Sequence, residues 1–133
     1  MSDLTGRCLC GKVTFRVAAP PRDVHHCHCG MCRRATGAAV ATLVWVRRDD
    51  LQWTDVPARY RSSEIATRGF CSICGTSLFL DYDGSSEIAL LLGAFDAPAT
   101  LQPSHHYGIE SRLPWMDLEA ELPARPTDPH PQP

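Results

Sequence analysis

The sequence predicts a mostly β fold of short strands, cysteine knuckles and one short helix. Three observations predict it. Apolar residues recur with period two or in short blocks bounded by Gly, Pro and Asp; seven cysteines fall into three tight groups; and the window from Gly30 to Thr36 offers about two turns of helix before a glycine. The 133 residues, 44 % hydrophobic and 21 % charged, are enough for one compact domain burying roughly two-thirds of the surface its unfolded chain exposes. That composition excludes disorder over most of the chain.

Along the chain, Val13, Phe15 and Val17 alternate with Thr14 and Arg16, which marks a half-buried strand over 12–18, ended by Pro20 and Pro21. The helix over 30–36 stops at Gly37, so the central cysteines fall at a loop and a helix start. Residues 39–46 form a nearly continuous apolar run, read as a strand buried on both faces, with a turn over 47–50. Short strands follow at 51–53, 59–62 and 64–67. After the knuckle FCSICG, residues 77–82 and 87–92 flank Asp83-Gly84-Ser85 and read as a hairpin. The apolar stretch 88–92 fits either the core or a dimer interface, so monomer and homodimer both stand. The last strand is expected at 104–109. Residues 1–122 thus read as one domain, and residues 123–133, with five prolines in eleven, as an exposed and poorly ordered tail.

Thirteen basic and fifteen acidic residues give a formal charge of −2 without any block of like charge, which argues against a nucleic-acid partner. No apolar run approaches the ~20 residues of a membrane span. The start MSDLTGRCLC has neither a basic n-region nor an apolar h-region, so the expected place is the cytoplasm.

In that compartment thiols stay reduced, and clustered cysteines more often hold metal than pair as disulfides. An odd seven cannot all pair, and they divide as four plus three. Cys71 and Cys74 form a CxxC followed by Gly75, and Cys8 and Cys10 a CxC followed by Gly11. Each pair can supply half of a tetrahedral four-thiolate zinc site, with the glycine letting the backbone turn back towards sulfur. Two separate thiol pairs or a redox CxxC are the alternative.

Cys27, Cys29 and Cys32, as CxCxxC, can cap one face of a second ion and leave a position open, the layout of catalytic zinc. A histidine (His25, His26, His28, His105 or His106) could instead close that site, or two of the cysteines could form a redox pair. Three thiolates on a divalent ion leave about −1 and four leave about −2, so the three-cysteine ion is the better electrophile. Arg33 and Arg34, directly after Cys32, are candidates to offset that charge or clamp a substrate carboxylate. Solvated arginines on a short helix are the alternative.

With these residues assembled, the sequence resembles the family of glutathione-dependent formaldehyde-activating enzymes, which includes centromere-protein-V-like proteins. The likeness runs through GRCLCGKVTFRV, CHCGMCRRATG, FCSICGTSLF and PSHHYGIESRLPW, in order. It implies a mostly β fold of the β-tent or Mss4-like kind, built of short antiparallel strands, and two Zn2+ ions per chain. Cys8, Cys10, Cys71 and Cys74 match the structural zinc ligands; Cys27, Cys29 and Cys32 match the catalytic ones. The implied reaction joins glutathione and formaldehyde reversibly into S-hydroxymethylglutathione, formally carbon–sulfur lyase chemistry, with a small thiol or thiol adduct as partner. In the last matching segment His106 is a candidate proton donor or acceptor lining the pocket, against a purely structural histidine. Trp115 and Phe70 read as core. The rival readings are a non-catalytic zinc module for protein or nucleic-acid binding and a thiol redox protein.

Overall fold

The run Ala41–Arg47 is largely apolar and rich in β-branched residues, and it becomes an interior strand of the larger of two sheets. In this computed structural model residues 3–126 are described, without the side chains of 118–120. The described strands are β1 (Leu4–Arg7), β2 (Thr14–Val17), β3 (Asp23–Cys27), β4 (Ala41–Arg47), β5 (Leu51–Thr54), β6 (Ala58–Arg61), β7 (Ala66–Phe70), β8 (Ser77–Tyr82), β9 (Glu87–Leu91) and β10 (His105–Tyr107), with helix α1 (Gly30–Thr36) between β3 and β4. The large sheet runs β10-β3-β4-β9-β8-β7-β6 and the small one β1-β2-β5. Neighbours are antiparallel except β10, which joins β3 in parallel. The fold is mostly β, as expected.

Because side chains alternate across a strand, the register sorts the large sheet into two faces. Val44, Val46, Phe79, Ile88 and Leu90 point to one face and pack on Phe15 and Val17 of the small sheet. Phe15 meets Trp53 and Phe95 edge-on, with ring centroids 5.5 and 5.0 Å apart. The opposite face carries Cys27, Ala41, Leu43, Ala66, Leu80, Ala89 and Leu91, which cluster with Cys32 of α1. Two apolar faces on one sheet explain why residues 39–46 lack alternation. Both faces of residues 88–91 are likewise buried within this chain, so the stretch belongs to the core.

Two close approaches shape the sheet. The Phe79 ring lies directly over Gly69, where a Cβ would come within 1.9 Å of it. Asp81, on the same face as Phe79, accepts from Arg48 Nη2 at 2.6 Å and from Arg59 Nη2 at 3.2 Å, and the Arg59 guanidinium sits 5.0 Å above the Phe79 ring.

Several elements depart from expectation. Strands β1 and β3 lie in segments with no predicted strand: β1 is short and contains Gly6, and β3 reads DVHHC. The strand expected at 64–67 lies at Ala66–Phe70, because the amides of Ser62 and Ser63 both donate to the Ala66 carbonyl and turn the chain before it. The strand expected at 104–109 is reduced to His105–Tyr107, since Gly108 at φ 71° turns the chain away. Trp115 is 47 % exposed and Phe70 half-buried, so neither is a core residue. Residues 123–126 are exposed, and the remainder of the proline-rich end lies outside the described residues.

Candidate metal centres and the cleft

The first cysteine group is made by two similar turns. Gly11, at φ 82°, lets its amide return to the Cys8 carbonyl, and Gly75, at φ 79°, does the same towards Cys71. The Leu9 amide donates to the Thr76 hydroxyl and ties the two turns together. The sulfurs of Cys8, Cys10, Cys71 and Cys74 consequently all lie within 4.8 Å of one another.

The Cys8–Cys10 and Cys10–Cys71 sulfur separations are 3.6 and 3.8 Å. A zinc tetrahedron with Zn–S near 2.3 Å has edges of roughly 3.8 Å, so this donor set fits the ion. Backbone amides of Val13 and Ile73 point at the sulfurs of Cys8 and Cys71. The Thr76 hydroxyl, with the amides of Cys10 and Thr76, holds the Cys74 thiol down to about 5. Cys8 and Cys71 are also members of the main core, so this centre is built into the packing between the sheets.

The second group spans a strand end and a helix start. Cys27 closes β3, Cys29 caps α1 by accepting the Cys32 amide at its sulfur (3.3 Å), and Cys32 is buried in the first turn. The three sulfurs lie within 4.8 Å of one another, with Cys27 and Cys29 at 3.5 Å. Among the described residues no histidine, carboxylate or further cysteine joins all three within that span, so His25, His26, His28, His105 and His106 do not close the set. Both terminal guanidinium nitrogens of Arg68, Nη1 and Nη2, reach the Cys32 sulfur, at 3.7 and 3.6 Å. Hydrogen bonding from the Cys27 thiol, and then from Arg68 and Cys29, holds Cys32 down to about 5 against its burial. Cys27, donating to Cys32 and buried, is pushed well above the usual thiol range.

These sulfurs edge a cleft of about 670 Å³ on the sheet face opposite the main core. Strands β3, β4, β7, β8 and β10 supply His25, Trp45, Arg68, Tyr82 and Tyr107 to it, and the loop before β7 supplies Glu64 and Ile65. His25 Nδ1 is 2.7 Å from Asp23 Oδ2 and its ring lies against His105, so Asp23, His25 and His105 form a further polar cluster beside the cleft.

Three predicted site residues lie elsewhere. His106 does not line the cleft: β10 pairs in parallel with β3, Tyr107 shares the cleft face, and alternation sends His106 to the other side. There it stacks on His26 and lies 2.9 Å from His28 Nε2. Arg33 also turns away, donating to the carbonyls of His28 (2.5 Å) and Ser111 (2.8 Å), where it fastens α1 to the segment after β10. Arg34 is exposed on the helix, outside the cleft lining. The cation beside the sulfurs is Arg68, and only the pairing of Arg68 with Leu80 across β7 and β8 reveals that it faces them.

The sequence matches the family model described as glutathione-dependent formaldehyde-activating enzyme over residues 3–111. An uncharacterised lyase of Schizosaccharomyces pombe is 27 % identical over 82 residues, covering 62 % of this chain. The match spans 60 % of that relative's length. A crystal structure of a Rhodobacter sphaeroides protein has the same fold, with a TM-score of 0.61 at 23 % identity over 77 % of this chain and 98 % of that one.

Proposed function

The chain belongs to the family of glutathione-dependent formaldehyde-activating enzymes, and from that premise we propose that it is a zinc-dependent, carbon–sulfur lyase-like enzyme acting on a small thiol adduct. The family description names glutathione-dependent activation of formaldehyde, and the reaction proposed on that basis is the reversible joining of the two into S-hydroxymethylglutathione. The single observation that carries this reading is the difference between the two cysteine groups. All three cysteines of the second set line the large cleft, with Arg68 beside them, whereas none of the four-sulfur set does, and two of its members, Cys8 and Cys71, belong to the main core.

In this reading Cys8, Cys10, Cys71 and Cys74 hold a structural ion, and Cys27, Cys29 and Cys32 a catalytic one. A zinc ion at the second set supplies Lewis acidity, which lowers the pKa of an incoming thiol and polarises a carbonyl oxygen. The protein's own part is positional and electrostatic. Arg68 hydrogen-bonds the Cys32 sulfur and offsets part of the negative charge of the sulfur set. The helix start fixes Cys29 and Cys32 relative to one another through the N–H···S bond of the cap. The apolar walls hold thiol and carbonyl together and limit water, turning a bimolecular encounter into a local one.

In the cleavage direction the adduct's C–S bond breaks with its electron pair passing to sulfur. The hydroxyl on the same carbon becomes the carbonyl as its proton leaves, so nothing is oxidised or reduced.

The test is exchange between free thiol, aldehyde and adduct, followed by NMR with zinc-loaded protein, in the wild type and in the Cys27→Ser, Cys29→Ser, Cys32→Ser triple variant. Acceleration by the wild type that disappears in a folded triple variant is the expected result. Equal acceleration by both overturns the proposal.

A further inference from the structure

Glutathione carries two carboxylates and an ammonium group, and a site built for it needs groups that pair with them. The cleft offers little of that kind. Arg68 is the only arginine or lysine lining it among the described residues, and both its terminal guanidinium nitrogens face the Cys32 sulfur. The other charged group in the lining is the carboxylate residue Glu64. Three thiolates around a divalent ion would add about −1, so the cleft repels carboxylates more than it attracts them. Arg33 and Arg34, the cations nearest in sequence, lie outside the lining.

What the cleft does offer is apolar and aromatic. Leu43, Trp45, Leu80 and Tyr82 face it, and Ala89, paired with both Trp45 and Leu80, is a small residue beneath them. The Trp45 and Tyr82 rings are within 6° of parallel with centroids 6.1 Å apart. At the rim, Met31, Ile65, Tyr82 and Tyr107 are all exposed although large and apolar. Exposed apolar residues gathered around one concavity mark a binding surface for an apolar ligand, and the exposed rings of Tyr82 and Tyr107 among them favour a ligand with a ring.

We propose that the adducts taken by this cleft are hemithioacetals with apolar, ring-bearing substituents, formed from an aromatic aldehyde and an uncharged thiol, in preference to those of glutathione. The inference rests on the reading of the three-cysteine cleft as the place where a thiol adduct binds. The chemistry keeps the balance given above: the C–S bond breaks with its electrons to sulfur, the C=O forms, and the proton lost from oxygen is the one thiolate takes up.

The experiment titrates zinc-loaded full chain with two unreactive thioethers, benzyl methyl sulfide and S-methylglutathione, and measures exchange for benzaldehyde with benzyl mercaptan and for formaldehyde with glutathione. Benzyl methyl sulfide is expected to bind about tenfold tighter, and Trp45→Ala to remove most of that advantage, with Tyr82→Leu as a second variant should the first not fold. S-methylglutathione binding as tightly or more tightly overturns the inference. Faster exchange of glutathione with formaldehyde than of the aromatic pair also overturns it, while leaving the lyase reading in place. Preferential binding of the benzyl compound without acceleration of either pair supports the assignment of the cleft and removes the lyase reading.

Discussion

Arg68 on β7 and Cys32 on α1, 36 residues apart in sequence, meet with both terminal guanidinium nitrogens within 3.7 Å of the sulfur. This pair joins the sheet to the helix that carries one of the three clustered cysteines and is capped by another. Replacing Arg68 by Met leaves the sulfur without its cation. Loss of such a supporting partner typically costs 10–100-fold in metal affinity, so zinc at the three-cysteine set should pass to a chelator about tenfold faster while the four-cysteine set is unaffected. Stopped-flow transfer to a coloured chelator reads both phases.

Asp81 is a stability element. Its carboxyl is held below the usual carboxylate range by hydrogen bonds from Arg48 and then Arg59. A depressed folded pKa gives stability that is present above the unfolded value and lost as pH falls through the folded one. Asp81→Asn should therefore lower stability at neutral pH by about 2 kcal/mol, the scale of hydrogen bonds to a charged group, and flatten the acid limb of the stability profile. Urea unfolding between about pH 2 and pH 7 checks both.

Gly69 is required by contact, its conformation being an ordinary extended one. A methyl group there meets the Phe79 ring at 1.9 Å, at a position paired with Arg59 on one side and Phe79 on the other. Gly69→Ala should lower stability by about 3 kcal/mol, at the upper end of overpacking costs, and lower the thermal midpoint measured by circular dichroism.

His106→Ala separates the two readings of that residue. Its Nδ1 is 2.9 Å from Nε2 of buried His28. His28 Nδ1 is already buried without a hydrogen-bond partner, and removing His106 leaves Nε2 in the same state, at a cost of about 1–2 kcal/mol. The expected outcome is reduced stability with an unchanged zinc content, by thermal unfolding and elemental analysis.

The cysteine spacing was legible because CxC and CxxC followed by glycine impose a local turn whatever surrounds it, and sulfurs so close in sequence need little tertiary help to converge. Thr14–Val17 was legible from its alternation and Ser77–Tyr82 from the Asp83-Gly84-Ser85 turn that follows it, again local signals. Strand β3 was not, because His25 and His26 do not read as apolar, yet pairing with β4 and β10 buries or half-buries them. The cleft was hardest to read. Its walls come from strands that are distant in sequence, and whether Trp45, Arg68 or Tyr82 faces the sulfurs depends on pairing register, which a single residue's slip would invert. The same parity explains why Tyr107 lines the cleft and His106, its neighbour, does not.

The measurement that tests the central claim most directly is zinc per chain by elemental analysis, in the wild type and in the Cys27→Ser, Cys29→Ser, Cys32→Ser variant, with free thiols counted alongside. Two separate sulfur sets predict about two zinc ions falling to about one, with folding preserved by the four-cysteine centre. A single zinc that the triple variant leaves untouched would contradict the account.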